Sequence, residues 1–306
     1  MKNAPEGGRL RRFEYFAPNS IEEAVRFLHQ HGEAARPLAG GTDLVVQMKE
    51  AATRFPYPAH IVNITRIPEL RGIGFSGREG LRIGAGATMA EIAGHPAVRE
   101  RYPALAEGAG VVGSWQTMNM ATLGGNLCNA APSADTAPPL LALEARAVIA
   151  GPTGRRTVAV EEFFAGPGRT VLAPDELLAE VRIPAPAAGT GSAYQRHTPR
   201  KQMDIAVVGV AAAHTLEGGS VRRARIALGA VAPTPLRARG AEASLEGAPL
   251  TPEAISHAAG IAATECSPIS DVRGSAEFRR HLVQVMTRRM LEAAGARAGI
   301  QLRELP

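Results

Sequence analysis

Ala121-Thr122-Leu123-Gly124-Gly125-Asn126-Leu127-Cys128-Asn129-Ala130-Ala131-Pro132-Ser133-Ala134-Asp135 is the stretch on which the reading of this chain turns. A second stretch, Pro37-Leu38-Ala39-Gly40-Gly41-Thr42-Asp43-Leu44, lies well upstream. Each sets a Gly-Gly pair, with a small hydroxyl residue close by, next to an apolar run. Glycine lets main-chain N–H groups approach an anion and opens dihedrals that other residues avoid. Consecutive N–H groups then form a concave anion-binding nest. Two such loops suit a ligand with two phosphates, such as a dinucleotide. Taken singly, each is more simply a tight turn at a strand end.

Outward from the first loop, strands are predicted over 13–16, 36–38 and 60–64. A helix follows Ser20, with Glu23 completing a capping box, and a short helix over 43–49 points its N-terminus at the loop. Strand, helix, strand, helix, strand is an α/β unit. A second unit begins near residue 68. It has strands over 73–75 and 81–83, a capping box of Thr88 and Glu91, and a helix over 102–110. After the second Gly-Gly loop come an apolar segment at 138–143, a hairpin over 147–150 and 156–160, and a closing strand at 177–183. Pro184-Ala185-Pro186-Ala187-Ala188-Gly189-Thr190-Gly191-Ser192 reads as a linker. Beyond it, apolar runs over 206–216 and 221–231 form a hairpin, and helices follow over 252–264 and 276–294. The third region is therefore α+β.

The totals narrow the possibilities. The 306 residues are 45% hydrophobic but only 4% aromatic, so the cores are built from Ala, Val, Leu and Ile. Two cysteines, Cys128 and Cys266, make no disulfide framework and point to a reducing compartment. The basic start has no apolar core behind it, and no apolar run is long enough to span a bilayer, so a cytoplasmic protein is expected. Net charge is +5, but the arginines are dispersed. The one tight cluster, Arg222-Arg223-Ala224-Arg225, has no aromatic residues for base stacking. A solvated face or an acidic protein partner is expected there, not nucleic acid. His29 and His31 have no third ligand nearby and are expected on the solvated surface. Gly72-Ile73-Gly74-Phe75-Ser76-Gly77 matches G-x-G-x-x-G, yet it leads into a strand instead of a helix, so it is not read as a dinucleotide site. Ser114, Ser133 and His197 have no triad-like spacing, and no catalytic residue or metal site is assigned.

The chain resembles the FAD-binding medium subunit of the molybdenum hydroxylases, the xanthine dehydrogenase and carbon monoxide dehydrogenase family. The resemblance is carried by Ala39-Gly40-Gly41-Thr42-Asp43-Leu44 with Gln47-Met48-Lys49, by Thr122-Leu123-Gly124-Gly125-Asn126, and by Ser133-Ala134-Asp135 with Pro138-Pro139-Leu140-Leu141-Ala142-Leu143. It continues through Arg196, Arg200, Asp204-Ile205-Ala206, Gly229-Ala230-Val231-Ala232-Pro233-Thr234-Pro235 and Asp271-Val272-Arg273-Gly274-Ser275 with Arg279-Arg280, covering nearly the whole chain in order.

It implies an α+β protein. A two-subdomain FAD-binding fold of the vanillyl-alcohol-oxidase-like (PCMH) type occupies 1–184, split at about 66. A C-terminal α+β domain with an antiparallel sheet packed on helices occupies 193–300. It also implies that Leu38, Ala39, Gly40, Gly41, Thr42, Asp43 and Leu44, with Thr122, Leu123, Gly124, Gly125 and Asn126, hold the pyrophosphate. Asp135 is expected near the ribose or adenosine, Leu178 near the adenine or flavin, Val112 beside the flavin ring, and Arg196 near its polar edge. Relatives often have Arg where Met118 stands and Lys where Arg196 stands, and Arg keeps the charge but changes its geometry. The implied role is an electron relay. A large molybdopterin subunit oxidises the substrate, a small [2Fe–2S] subunit passes electrons to FAD, and NAD or another acceptor receives them. The rival reading is a stand-alone FAD-dependent oxidoreductase that oxidises its own substrate.

Overall fold

Three small parallel strands begin the chain in the computed structural model, which describes residues 10–50 and 55–299. The basic start up to residue 9 and the domain end at 300 lie outside the described residues. β1 (Glu14–Phe16), α1 (Ile21–His31), β2 (Ala35–Leu38), α2 (Leu44–Lys49) and β3 (His60–Asn63) form a sheet of order β1-β3-β2. Ile21, Ala24, Val25 and Leu28 are buried on one face of α1. Ser20 caps this helix by accepting from the Glu23 N–H at 3.1 Å. The Glu23 carboxylate reaches back one residue further than expected and accepts from the Asn19 N–H.

The second unit comprises β4 (Ile73–Ser76), β5 (Gly80–Gly84), α3 (Met89–Gly94), α4 (Pro96–Arg101), α5 (Pro103–Gly110), α6 (Trp115–Met118), α7 (Leu123–Asn129), α8 (Ala137–Ala142), β6 (Arg146–Gly151), β7 (Gly154–Ala159), β8 (Phe164–Gly166), β9 (Arg169–Thr170) and β10 (Leu177–Ile183). Its main sheet runs β4-β5-β10-β6-β7, all antiparallel. The strand read as closing the unit in sequence, β10, is thus central in space. It is buried at every position but Arg182, as a strand covered on both faces should be. The G-x-G-x-x-G match falls on β4 and the turn that follows. Thr88 and Glu91 make the full reciprocal capping box at α3.

The C-terminal unit is a four-stranded antiparallel sheet, β11 (Thr190–His197), β12 (Val208–Glu217), β13 (Ser220–Gly229) and β14 (Leu236–Arg237), packed on α9 (Arg239–Leu245), α10 (Pro252–Glu265) and α11 (Ala276–Arg297). The β12–β13 turn carries Gly218 and Gly219 with φ of +59° and +85°. A two-residue hairpin turn whose twist suits its strands needs such positive φ values. The predicted linker is corrected at its end: Thr190, Gly191 and Ser192 are the first residues of β11. β12 divides two cores by strand alternation. Val208, Val210 and Ala212 join the core beneath α10 and α11, whereas Ala211 and Ala213 join the core shared with the second unit.

Two further expectations are met in part. Arg223 and Arg225 pair with Glu144 at 2.6 and 2.9 Å, Arg225 also pairs with Glu246, and Arg222 pairs with Glu217. Arg222 and Arg223 stay exposed, which is the solvated face expected there, and each of the three arginines has a carboxylate partner within the chain. His31 is half-buried, its ring 4.2 Å from Phe27 and 4.1 Å from His60. His29 is exposed, as expected, and pairs with Asp175. Among the described residues no group of three His, Cys, Asp or Glu side chains is placed to hold a metal, and no helix is long and apolar enough to cross a membrane.

Candidate functional site

The first glycine pair sits between the end of β2 and the start of α2, half-exposed from Leu38 to Thr42. Gly41 has φ of +73°, a conformation that strains any residue with a Cβ. The turn leaves the main-chain N–H groups of Ala39, Gly40, Gly41 and Thr42 without a hydrogen-bond acceptor among the described residues. Free amide donors in a half-exposed turn that leads into a helix are what a phosphate oxygen requires.

The second pair is built differently. Gly124 and Gly125 are not a loop but the first turn of α7, capped by Thr122, whose Oγ1 accepts from the Gly125 N–H at 3.1 Å. The Leu123 N–H donates to Ala87 O at 2.9 Å and the Gly124 N–H to Ala85 O at 2.7 Å. Those amides are already satisfied, so this segment offers no open nest of the kind expected. Gly124 has a packing reason instead: a Cβ there would lie 2.8 Å from both the Cβ and the carbonyl oxygen of Ala85. Its neighbours Thr122, Leu123 and Leu127 are buried, and Asn126 is half-buried.

The two segments meet. A Cβ on Gly40 would fall 1.9 Å from the carbonyl oxygen of Met120, one turn before α7. The Asn129 Nδ2 donates to Asp43 Oδ1 at 3.0 Å, and the Gln47 Nε2 donates to Asn129 Oδ1 at 3.1 Å. Residues some 80 apart in sequence therefore form one continuous surface, with the open amides of Ala39–Thr42 beside the N-terminal end of α7. Leu44 opens α2 within the same surface.

The remaining expected site residues lie deeper. Leu178 is buried in β10 beside a bulge, opposite Ile149. Val112 is half-buried after α5 and packs against the same core. Met118 is buried in α6. Arg196 and Asp135 form a direct ion pair, Nη1 to Oδ2 at 2.6 Å, with both side chains more than nine-tenths covered. The Tyr194 hydroxyl donates to the other oxygen, Oδ1, at 2.7 Å. Burial is the largest influence on the Asp135 carboxyl and pushes it up to about 6, against the opposing pull of the Arg196 charge and both hydrogen bonds. Asp135 is ionised at neutral pH, and both its oxygens are engaged by β11 instead of facing an open ribose pocket. Arg196 also lines a cleft of about 640 Å³ between α5, β11 and α11, together with Val111, Tyr194, Lys201 and Arg297.

Tyr194, Asn129 and Glu107 were not singled out in the sequence. Tyr194 stands two residues before Arg196 on β11 and so shares its face. Its ring fits because Gly209, diagonally across on β12 and opposite Arg196, has no side chain: a Cβ there would be 2.7 Å from the hydroxyl. Glu107 of α5 accepts from the Tyr194 N–H at 2.7 Å and is paired with Arg297.

An α/β unit and an antiparallel unit whose two glycine segments meet, followed by a C-terminal α+β domain, define the PCMH-type fold of a flavoprotein medium subunit. The chain belongs to the FAD-binding medium-subunit family of the molybdenum hydroxylases. Residues 11–186 match the FAD binding domain in molybdopterin dehydrogenase, and residues 193–294 match the CO dehydrogenase flavoprotein C-terminal domain. The chain is 42% identical over 286 residues to the carbon monoxide dehydrogenase medium chain of Hydrogenophaga pseudoflava, covering 94% of this chain and 98% of that one. It is 36% identical over 289 residues to a xanthine dehydrogenase FAD-binding subunit of Escherichia coli O157:H7, with the same coverage. A solved carbon monoxide dehydrogenase of H. pseudoflava, in a form lacking the Mo-pyranopterin moiety of its cofactor, superposes with a TM-score of 0.89, covering 94% of this chain and 99% of that one.

Proposed function

We propose that this chain is the FAD-carrying electron relay of a molybdenum-containing hydroxylase or dehydrogenase, its flavin seated on the two glycine segments. The observation that carries this reading is the set of four open amides at Ala39–Thr42, fixed against α7 by Gly40 on Met120 and by Asp43 on Asn129. In support, the relatives named above are a medium chain and an FAD-binding subunit, and the solved relative is a carbon monoxide dehydrogenase in a form that lacks the Mo-pyranopterin moiety of its molybdenum cofactor. The chemistry that FAD supplies when bound is electron transfer, here from a [2Fe–2S] cluster on a small partner subunit to NAD or another external acceptor, with the molybdenum cofactor on a large partner subunit.

Within that reading, this chain's own residues bind, orient and shield. The Ala39–Thr42 amides take pyrophosphate oxygens, and the α2 N-terminus at Leu44 adds partial positive charge. Thr122, Leu123, Gly124, Gly125 and Asn126 form the firm wall against which that turn is set. Val112 and Leu178 supply apolar surface, and Arg196 supplies a cation. The cofactor-binding half is taken to end at residue 184 and the C-terminal half to begin at 193. The two unpaired cysteines suit a cytoplasmic enzyme.

The test is to purify the full chain with co-expressed neighbouring subunits, record the visible spectrum, then release and identify the cofactor. FAD with iron–sulfur absorption and co-purifying large and small subunits is the expected result. FAD on a chain that oxidises a substrate alone would favour the stand-alone oxidoreductase. No flavin, even after FAD is added back, would sink both.

A further inference from the structure

The connection between α7 and α8, residues 130–136, is held from three sides. Its own unit holds it through Ala130 O, which accepts from the Gly168 N–H at 2.9 Å, and through Thr136, whose hydroxyl donates to Asn126 Oδ1 at 2.6 Å. The C-terminal unit holds it at Pro132, whose carbonyl accepts from the Ala230 N–H at 2.7 Å. The C-terminal unit also holds it at Asp135, through Tyr194 and Arg196. Three glycines permit this closeness. A Cβ at Gly108 would lie 2.6 Å from Asp135 O, one at Gly229 would lie 2.7 Å from Pro138, and Gly209 makes room for Tyr194. Ala230 takes φ of +63°, and its carbonyl accepts from the buried Arg279 Nη1 at 3.1 Å. A non-glycine residue in that conformation persists only where its surroundings over-determine it.

The groups that face Asp135 are few. From β11 they are Tyr194 and Arg196. From α5 the nearest charge is Glu107, turned to the Tyr194 amide and Arg297. α8 carries no titratable side chain, and α7 carries only Cys128.

We propose that Asp135 and Tyr194 are positioning residues, not cofactor contacts. They clasp the C-terminal sheet onto the α7–α8 connection, and through Thr136 and Asn126 they set where the first turn of α7 sits against the Gly40–Gly41 turn. This rests on the reading that those two glycine segments seat FAD. Tyr194 belongs to the C-terminal unit and to neither glycine segment, so the clasp makes flavin retention depend on the seating of that unit.

The experiment compares full-length wild type, Tyr194→Phe and Asp135→Asn, each purified and stripped of flavin. Three quantities are measured: amide hydrogen exchange at 123–137 in the apo protein, the FAD dissociation constant, and the visible circular dichroism of rebound flavin. Tyr194→Phe is mild enough to keep the fold, and its apo melting temperature checks that. The expected result is faster exchange at 123–129 in both variants. FAD binding should weaken about tenfold in Tyr194→Phe, as loss of one hydrogen bond to a charged group predicts. It should weaken at least as much in Asp135→Asn, which also leaves the buried Arg196 charge unpaired, and the flavin dichroism should be altered in the same sense in both. If Asp135 touches the ribose directly, Asp135→Asn weakens FAD while Tyr194→Phe leaves affinity and dichroism unchanged, which overturns the proposal. Unchanged exchange at 123–129 in Tyr194→Phe overturns it whatever the affinity. If the wild type takes up no FAD at all, it is the seating of the flavin that fails, and the exchange data alone still decide the clasp.

Discussion

Gly40 rests on the carbonyl oxygen of Met120 so closely that a Cβ would stand 1.9 Å from it. Both partners are backbone, so neither can swing aside. Gly40→Ala must therefore push the first glycine turn away from the chain leading into α7, at a cost of roughly 1–3 kcal/mol as overpacking. FAD content of the purified protein should fall sharply. Gly94→Ala is the matched control: it ends α3 with nothing within 4 Å of the added Cβ. It should leave FAD content intact and keep stability within about 1 kcal/mol. Equal flavin content in Gly40→Ala and wild type would show that the two segments are not one seat.

The contrast between the two glycine pairs also shows what could be read without coordinates. The first pair forms the turn between a strand and a helix that its sequence suggests, with Gly41 at positive φ. The second was read as a loop of the same kind, yet it opens α7 although glycine disfavours helix. What overrides the propensity is the approach of Ala85 to Gly124, a tertiary fact. Caps and hairpins were legible because they are local: Thr88 with Glu91, Ser20 with Glu23, and Gly218-Gly219 between two apolar runs. The start of β11 was not, since Thr190, Gly191 and Ser192 continue a Pro-, Ala- and Gly-rich run and gain strand character only by pairing with β12. The central place of β10 and the partners of Asp135, 59 and 61 residues away, are likewise long-range.

Arg196→Ala tests the ion pair from the side of the cation. It leaves the Asp135 carboxylate buried with only the Tyr194 hydroxyl, and removing one member of a buried pair typically costs about 3–5 kcal/mol. Arg196 is the chief group holding the carboxyl down against burial, so in the variant Asp135 should titrate above its present value of about 6. Urea unfolding at pH 7 should show the loss, and Arg196→Lys should recover part of it. The flavin midpoint potential should shift as well. Unaltered stability in Arg196→Ala would mean that solvent reaches Asp135.

Arg237 and Glu242 form a second covered pair, this one wholly within the C-terminal unit. Arg237 Nη2 donates to Glu242 Oε2 at 2.7 Å, and its Nε also donates to Oε1, which accepts from the Ile226 N–H as well. Both side chains are at most 5% exposed. Arg237→Ala should destabilise by roughly 3–5 kcal/mol. Arg237→Met, which refills the volume, should still be destabilising because the carboxylate stays buried. In both variants, FAD affinity of the folded fraction should be near wild type, which separates this pair from the Asp135 clasp. A large affinity change in Arg237→Met would tie the two units together by a route that runs outside the clasp.

His214 gives the chain an acid limit. It lies on β12, only 2% exposed, and neither ring nitrogen has a hydrogen-bond partner. Burial alone pushes its pKa down from 6.5 to about 4, so the native protein holds the ring neutral. The unfolded chain binds a proton near 6.5 and the folded chain resists it until about 4. Stability is therefore unaffected above 6.5, declines as pH falls through the interval, and stops declining below 4. A shift of that size amounts to roughly 3 kcal/mol. His214→Leu removes the titration. Its stability difference from wild type should be flat above pH 6.5, then swing in the variant's favour by about that amount between 6.5 and 4. Denaturant unfolding at pH 7.5, 6.0, 5.0 and 4.0 measures the swing directly. Parallel curves for the two proteins would mean that the ring is reached by solvent or carries a proton already in the native state.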